Sequence, residues 1–243
     1  MRLKAFSLRV AKEILRDPLT LGFGLGFPVV LLLLLSAIQA NIPVELFEIE
    51  RLTPGITVFG LTFVSLFAAT LIAKDREASF LQRLYATPMT ATDFIFGYSL
   101  PFIPISFSQG AICYIVAFFL GLKLSINIVF ALLSLIPISL FFISFGVLCG
   151  SVFSVKQVGG ICGALFTNLT AWLSGIWFDL ELVGGTFKRI AEILPFFHTV
   201  AIEKSIIAGT YDKLANDIAI TLLYTVLLTA TAIFAFLRQM KKH

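Results

Sequence analysis

Six runs of apolar residues, most near or above bilayer length, divide this chain: 21–40, 55–73, 94–122, 124–155, 158–178 and 218–237. A helix needs roughly 20 apolar residues to cross a bilayer, because about 30 Å of hydrocarbon is traversed at about 1.5 Å per residue. Inside lipid the backbone has no water to bond, so each run must satisfy its own N–H and C=O groups as a helix. The pattern predicts an all-α integral membrane protein with six transmembrane helices. Composition agrees: 13% of residues are charged and the mean hydropathy is +0.99, whereas a soluble domain is about 25% charged. Residues 1–243 read as a single transmembrane domain.

Prolines at 101 and 104 in the third run, and at 137 in the fourth, predict kinks or tilt there. Only Gly121-Leu122-Lys123 joins these two runs, so they are expected to be antiparallel neighbours. Residues 179–217 mix polar and apolar positions and predict short amphipathic or re-entrant helices before the sixth span. The net charge of +4 reads as a topology signal and not as a nucleic-acid footprint. With the N-terminus inside, twelve of the eighteen Lys and Arg residues fall on the cytoplasmic side, as positive-inside bias requires. Both termini are therefore expected in the cytoplasm of a multi-pass protein of the cell (inner or plasma) membrane. The first apolar run starts only at Leu21 and no small-x-small site follows, so a cleavable signal peptide is not expected. Cys113, Cys149 and Cys162 lie inside apolar runs without paired spacing, which predicts packing roles and no metal or disulfide framework.

Residues 1–18 have the periodicity of an amphipathic helix. Leu3, Val10, Ala11, Ile14 and Leu15 share one arc; Arg2, Arg9, Lys12 and Arg16 occupy the other, and Lys4 and Phe6 fit neither well. Such a helix lies at the membrane interface with its basic face toward anionic lipid or a protein partner; a solvated basic leader is the alternative. Asp17-Pro18 ends it.

None of the six runs contains Asp, Glu, Lys, Arg or His. Intramembrane charges mark proton relays and ion paths, so their absence counts against a proton-coupled carrier, while sodium coupling through backbone carbonyls stays open. No GxxxxGK[ST] phosphate loop occurs, so this chain does not bind ATP by that route. No catalytic group and no metal site is expected. Gln109, Thr167, Asn168, Ser174, Tyr224 and Thr225 are the uncharged polar candidates for a substrate path, Asn168 foremost, with interhelical hydrogen bonding as the competing role. Glycines at spacing four (22 and 26, 146 and 150, 159 and 163) allow close helix approach, within the chain or between subunits. His198 reads as an anchor at headgroup level, without metal-ligand spacing.

Between the second and third runs lies the polar segment 74–93. Phe80, Leu81, Leu84 and Tyr85 form one helical apolar face. Asp75 and Glu77 sit in its first turn and Arg83 near its end, in keeping with the helix dipole. Pro88 stops it, and Thr90-Ala91-Thr92-Asp93 offers a capping box for the third span. An apolar face on a cytoplasmic helix needs the membrane surface or a protein groove.

The stretch DREASFLQRLYATPMTATDFIFG resembles the cytoplasmic loop of ABC transporter permeases of the type-2 exporter (ABC-2) family. Asp75-Arg76-Glu77 and Thr87-Pro88 match that loop; Ala78-Ser79 stands where Gly-Thr is usual, and Gln82-Arg83 in its acidic stretch. Residues 173–209 are also similar to the family, through Ser174-Gly175 and Pro195-Phe196-Phe197-His198, with Lys204 where Arg or Gln is more usual. The resemblance implies a half-transporter: a second permease, identical or homologous, and two separate ABC ATPase subunits that carry the ATP and magnesium, with no cofactor in this chain. It makes the helix between spans 2 and 3 a cytoplasmic coupling helix, with Asp75, Arg76, Glu77, Phe80, Leu81, Arg83, Leu84 and Tyr85 docking the ATPase. The cargo is expected to be lipophilic or amphipathic, given the 26 phenylalanines. The competing classes are a secondary transporter or channel working without ATP, and a non-transporting membrane scaffold, immunity or sensor component.

Overall fold

The computed structural model describes residues 2–42, 47–78, 80–81 and 89–240, and among these there is no β-strand. The described residues form the helices α1 (Arg2–Leu15), α2 (Pro18–Asn41), α3 (Ile49–Glu77), α4 (Ala91–Phe119), α5 (Ile126–Val152), α6 (residues 155–173), α7 (Leu180–Val183), α8 (Gly185–Ile193), α9 (Pro195–Ala208) and α10 (Leu214–Met240). Five of them, α2, α3, α4, α5 and α10, are long and apolar enough to cross a membrane.

The fifth expected span, 158–178, has other bounds. Its helix covers 155–173, about 28 Å at about 1.5 Å per residue, and it is not among the membrane-length apolar helices. Lys156, Gln157, Asn168 and two threonines dilute its apolarity, and residues 159–166 form wide i→i+5 turns rather than a regular α-helix. Thr167 Oγ1 bonds back five residues, to the Cys162 carbonyl, in keeping with those turns. The chain leaves the helix at Ser174 and crosses α3, where Ile176 packs on Gly55 and Trp177 on Phe59.

Helix α3 is the axis of the bundle. Every residue from Leu52 to Thr62 is buried, as befits a helix apolar on all sides. It packs most extensively on α5, and α5 on α10. Glycines 146 and 150 of α5 set the α3 contact: a Cβ at Gly146 would meet the Ser65 carbonyl oxygen, and one at Gly150 that of Ala69. This glycine pair therefore serves packing within the chain. Because the obstacle is backbone, Gly146→Val is expected to cost about 3 kcal/mol or more, the upper range for overpacking. Gly159→Ala, where a Cβ meets nothing, is expected to be near neutral; thermal unfolding of the two variants in detergent measures the difference.

Other local signals appear as the sequence predicts them. Helix α4 breaks at Leu100-Pro101, between the segments Ala91–Ser99 and Phe102–Phe119. The capping box is formed, with Thr90 accepting from Asp93 N and Asp93 from Thr90 N. Pro137, in contrast, lies inside a helix that continues through it. All three cysteines are buried and free. Many phenylalanines pack on one another: Phe166 meets Phe141, Phe142, Phe145 and Phe196. The peripheral helices α2 and α10 leave apolar side chains such as Leu34 and Val226 exposed.

Helix α1 is docked on the bundle, and its buried face differs from the expected arc. Phe6, Val10 and Ile14 are buried while Leu15 is 66% exposed. The misfit Phe6 is the anchor: its ring packs edge-on against Phe94 and Tyr98 and lies over Gly97. Arg9, placed by periodicity on the outer face, turns inward because Asp75 of α3 waits there.

Candidate functional site

Two polar clusters stand out, one at each end of the bundle. The first is at the end carrying α1 and the termini of α3, α4, α5, α6 and α10. Three consecutive residues at the end of α3 each engage a different part of the chain. Asp75 is buried; its Oδ1 accepts from Arg9 Nη2 at 2.9 Å, its Oδ2 from Arg9 Nη1, and Oδ2 also accepts from Tyr98 OH at 2.7 Å. Arg76 donates to the carbonyls of Ser151 (2.6 Å) and Phe153, at the C-terminal end of α5. Glu77 Oε1 accepts from Val155 N at 2.9 Å, the first residue of α6. Gln239 of α10 also donates to the Ser151 carbonyl. These bonds satisfy helix-end groups that have no intrahelical partner. Hydrogen bonding to Asp75 raises the guanidinium pKa of Arg9 further. Arg9 also pairs with Glu13 and lies over the Phe80 ring, 4.2 Å from its centroid.

Of the eight residues expected to dock an ATPase, Asp75, Arg76 and Glu77 are thus engaged within the chain. Phe80 is half-buried and Leu81 buried. Arg83, Leu84 and Tyr85 lie outside the described residues.

The expected substrate-path residues do not come together. Gln109 is buried between α4 and α3, donating to the Thr57 carbonyl at 3.3 Å, and its Oε1 has no partner. Thr167 and Asn168 bond their own helix, and Asn168 is exposed. Thr225 bonds its own helix, and Tyr224 OH reaches the Ile193 carbonyl. Ser174 lines a cavity at the opposite end of the bundle.

That opposite end holds the second cluster, which sequence reading missed. Residues 179–217 carry α7, α8 and α9, and α9 is a core helix. Its Glu203 is fully buried, with Tyr114 OH donating to Oε2 and Ser134 Oγ 2.9 Å from Oε1. Ser134 Oγ also contacts the Ala131 carbonyl at 2.8 Å. A hydroxyl has one proton, so Ser134 Oγ either shares it between the two acceptors or accepts from a protonated Glu203. Burial pushes that carboxyl up to about 8, which favours the protonated form. His198, also buried, bridges three helices: Nε2 donates to the Glu192 carbonyl and Nδ1 faces Asp217 Oδ1, each at 2.7 Å. In place of the expected headgroup-level anchor, His198 is a buried bridge held by Asp217 and the Glu192 carbonyl. Lys204 Nζ donates to the Gly175 carbonyl at 2.8 Å, which joins the two motifs of residues 173–209. Gly175 takes φ +72°, a conformation that glycine adopts without strain. Among the described residues no group of three His, Cys, Asp or Glu is placed to hold a metal ion.

An all-helical bundle with five membrane-length apolar helices defines a multi-pass membrane protein. Its sequence matches the family of ABC-2 type transporters over residues 1–206, and the chain belongs to that family. A protein of Porphyra purpurea named "Putative transport permease ycf38" is 30% identical over 143 residues, 55% of this chain and 49% of that protein. The match thus spans about half the length of that relative.

Proposed function

We propose that this chain is the membrane-spanning permease subunit of an ATP-driven ABC exporter. Family membership and the likeness to a transport permease support the transport role. The observation that carries the mechanism is the triplet 75–77, which ties α1, α4, α5 and α6 to the end of α3 beside the polar segment. In this reading two permeases, identical or homologous, pair in the cell membrane with both termini in the cytoplasm. Helix α6 serves as a sixth span, α1 lies at the cytoplasmic interface, and α8 and α9 form the external re-entrant segment.

Two ATPase subunits, holding ATP and magnesium, dock on the coupling helix. The docking face falls to Phe80, Leu84 and Tyr85, with Arg83 at its rim and Leu81 turned into the core. Asp75, Arg76 and Glu77 pass its displacement to the spans. Binding energy in the nucleotide sites then biases a conformational equilibrium of the bundle. The cargo is lipophilic or amphipathic.

Co-purification tests this: the chain should bring down an ATPase with a phosphate loop. Leu84→Asp places an unpaired charge in an apolar groove at a cost of several kcal/mol, about a hundredfold or more in association. The variant should be made and inserted normally yet lose its ATPase and its transport. Full export by Leu84→Asp would remove this helix as the coupling element. The buried Glu203 favours a second reading, a carrier that works without ATP; transport by the chain alone in vesicles lacking ATP would establish it.

A further inference from the structure

We propose that the cavity at the end of the bundle opposite α1 is a binding site for an amphipathic anion, its carboxylate or phosphate head held by Lys204 and Ser174. The cavity measures about 690 Å³, within the roughly 300–1,000 Å³ of small-molecule sites. Its inner wall combines the two ingredients that such a ligand needs. Leu180 and Val200 are buried, Phe197 and Ile207 partly so, and together they supply apolar surface. Ser174 is 2% exposed, and its Oγ is buried without a hydrogen-bond partner. An unpaired buried hydroxyl is costly and asks for an acceptor or donor from outside the chain.

Lys204 is the second ingredient. It is half-buried, and its ammonium, with three donors, makes a single hydrogen bond, to the Gly175 carbonyl. Among the described residues no carboxylate pairs with it at ion-pair distance. Burial lowers its pKa, opposed by the more distant Asp179; an anionic ligand reverses that penalty. The remaining charges set the specificity. Glu48, Glu50, Asp179, Glu181 and Glu192 are all exposed at the cavity. Glu181 and Glu192 are paired with Lys188, and Asp179 accepts from Glu181 N at 3.0 Å. This acidic rim opposes the head of any anion, so Lys204 and the apolar wall together have to carry binding. Arg51 adds a basic group at the same cavity.

The site is read from this chain alone, and its failure leaves the export reading where it stands. The test uses the purified full chain in a neutral detergent, with binding measured by titration calorimetry. Dodecyl phosphate is expected to bind about tenfold or more tightly than dodecyltrimethylammonium, a charge-assisted contact of ordinary strength. Lys204→Met should erase that preference. Ser174→Ala should weaken dodecyl phosphate about three- to tenfold and serves if Lys204→Met fails to fold. Inorganic phosphate should bind far more weakly than dodecyl phosphate. Equal binding of the two amphiphiles, a preference that survives in Lys204→Met or is untouched in Ser174→Ala, or inorganic phosphate binding as tightly as dodecyl phosphate, would overturn the proposal.

Discussion

His198→Ala should lower the stability of the protein by about 3 kcal/mol or more, the upper range for leaving buried acceptors without their donor when one of them is a carboxylate. The substitution leaves the Asp217 carboxylate buried without its imidazole, and the Glu192 carbonyl without its donor. Helices α8, α9 and α10 meet at this ring, so the loss should loosen residues 180–217 before the rest of the bundle. Thermal unfolding and proteolysis in detergent measure both effects. The double variant with Asp217→Asn should recover part of the loss, because the stranded charge is gone. A double variant no better than His198→Ala would mean that the imidazole matters for its volume and not for its hydrogen bond to Asp217.

Asp75→Ala should release α1. Tyr98 is fully buried, and its hydroxyl would lose its acceptor, a cost of about 1–3 kcal/mol. Arg9 loses two hydrogen bonds, but its side chain is 35% exposed and reaches water, so its share is discounted. Together the loss is about 2–3 kcal/mol, a shift of roughly thirtyfold or more toward the undocked helix against the burial of Phe6, Val10 and Ile14 that remains. Asp75→Asn, which keeps an acceptor for Tyr98, should lose less. Amide hydrogen exchange of residues 2–15 reports docking directly: it should be slow in the parent and faster in Asp75→Ala. Under the export reading, Asp75→Ala should also retain the ATPase partner while transport falls, because docking belongs to residues 80–85. Loss of the partner instead would return Asp75 to the docking face.

Much of the fold was legible because its signals are local. Length and apolarity alone mark α2, α3, α4, α5 and α10, since a bilayer-spanning helix bonds only with itself. The Pro101 break and the Thr90–Asp93 cap are likewise decided within a few residues of chain. Helix α6 was legible as a segment but not as a membrane-length one: glycines and polar residues make its turns wide and its apolarity low, and a run of hydrophobic residues does not register that.

The polar chemistry follows a different rule. Asp75 finds Arg9 across 66 positions, Glu203 finds Tyr114 across 89, and Arg76 finds Phe153 across 77. No periodicity encodes such pairs. None of the six runs carries a charge, yet Glu203, His198 and Asp217 are buried, because α9, not itself of membrane length, packs among the long helices and meets the first turn of α10. The sequence by itself determined five segments long and apolar enough to cross a membrane, and the local break and cap of α4, through hydrogen bonds that a segment makes with itself. Only the tertiary structure decided which of the remaining polar groups are buried and what they face, because the cost of burying a charge is offset by whatever distant residue packing brings beside it.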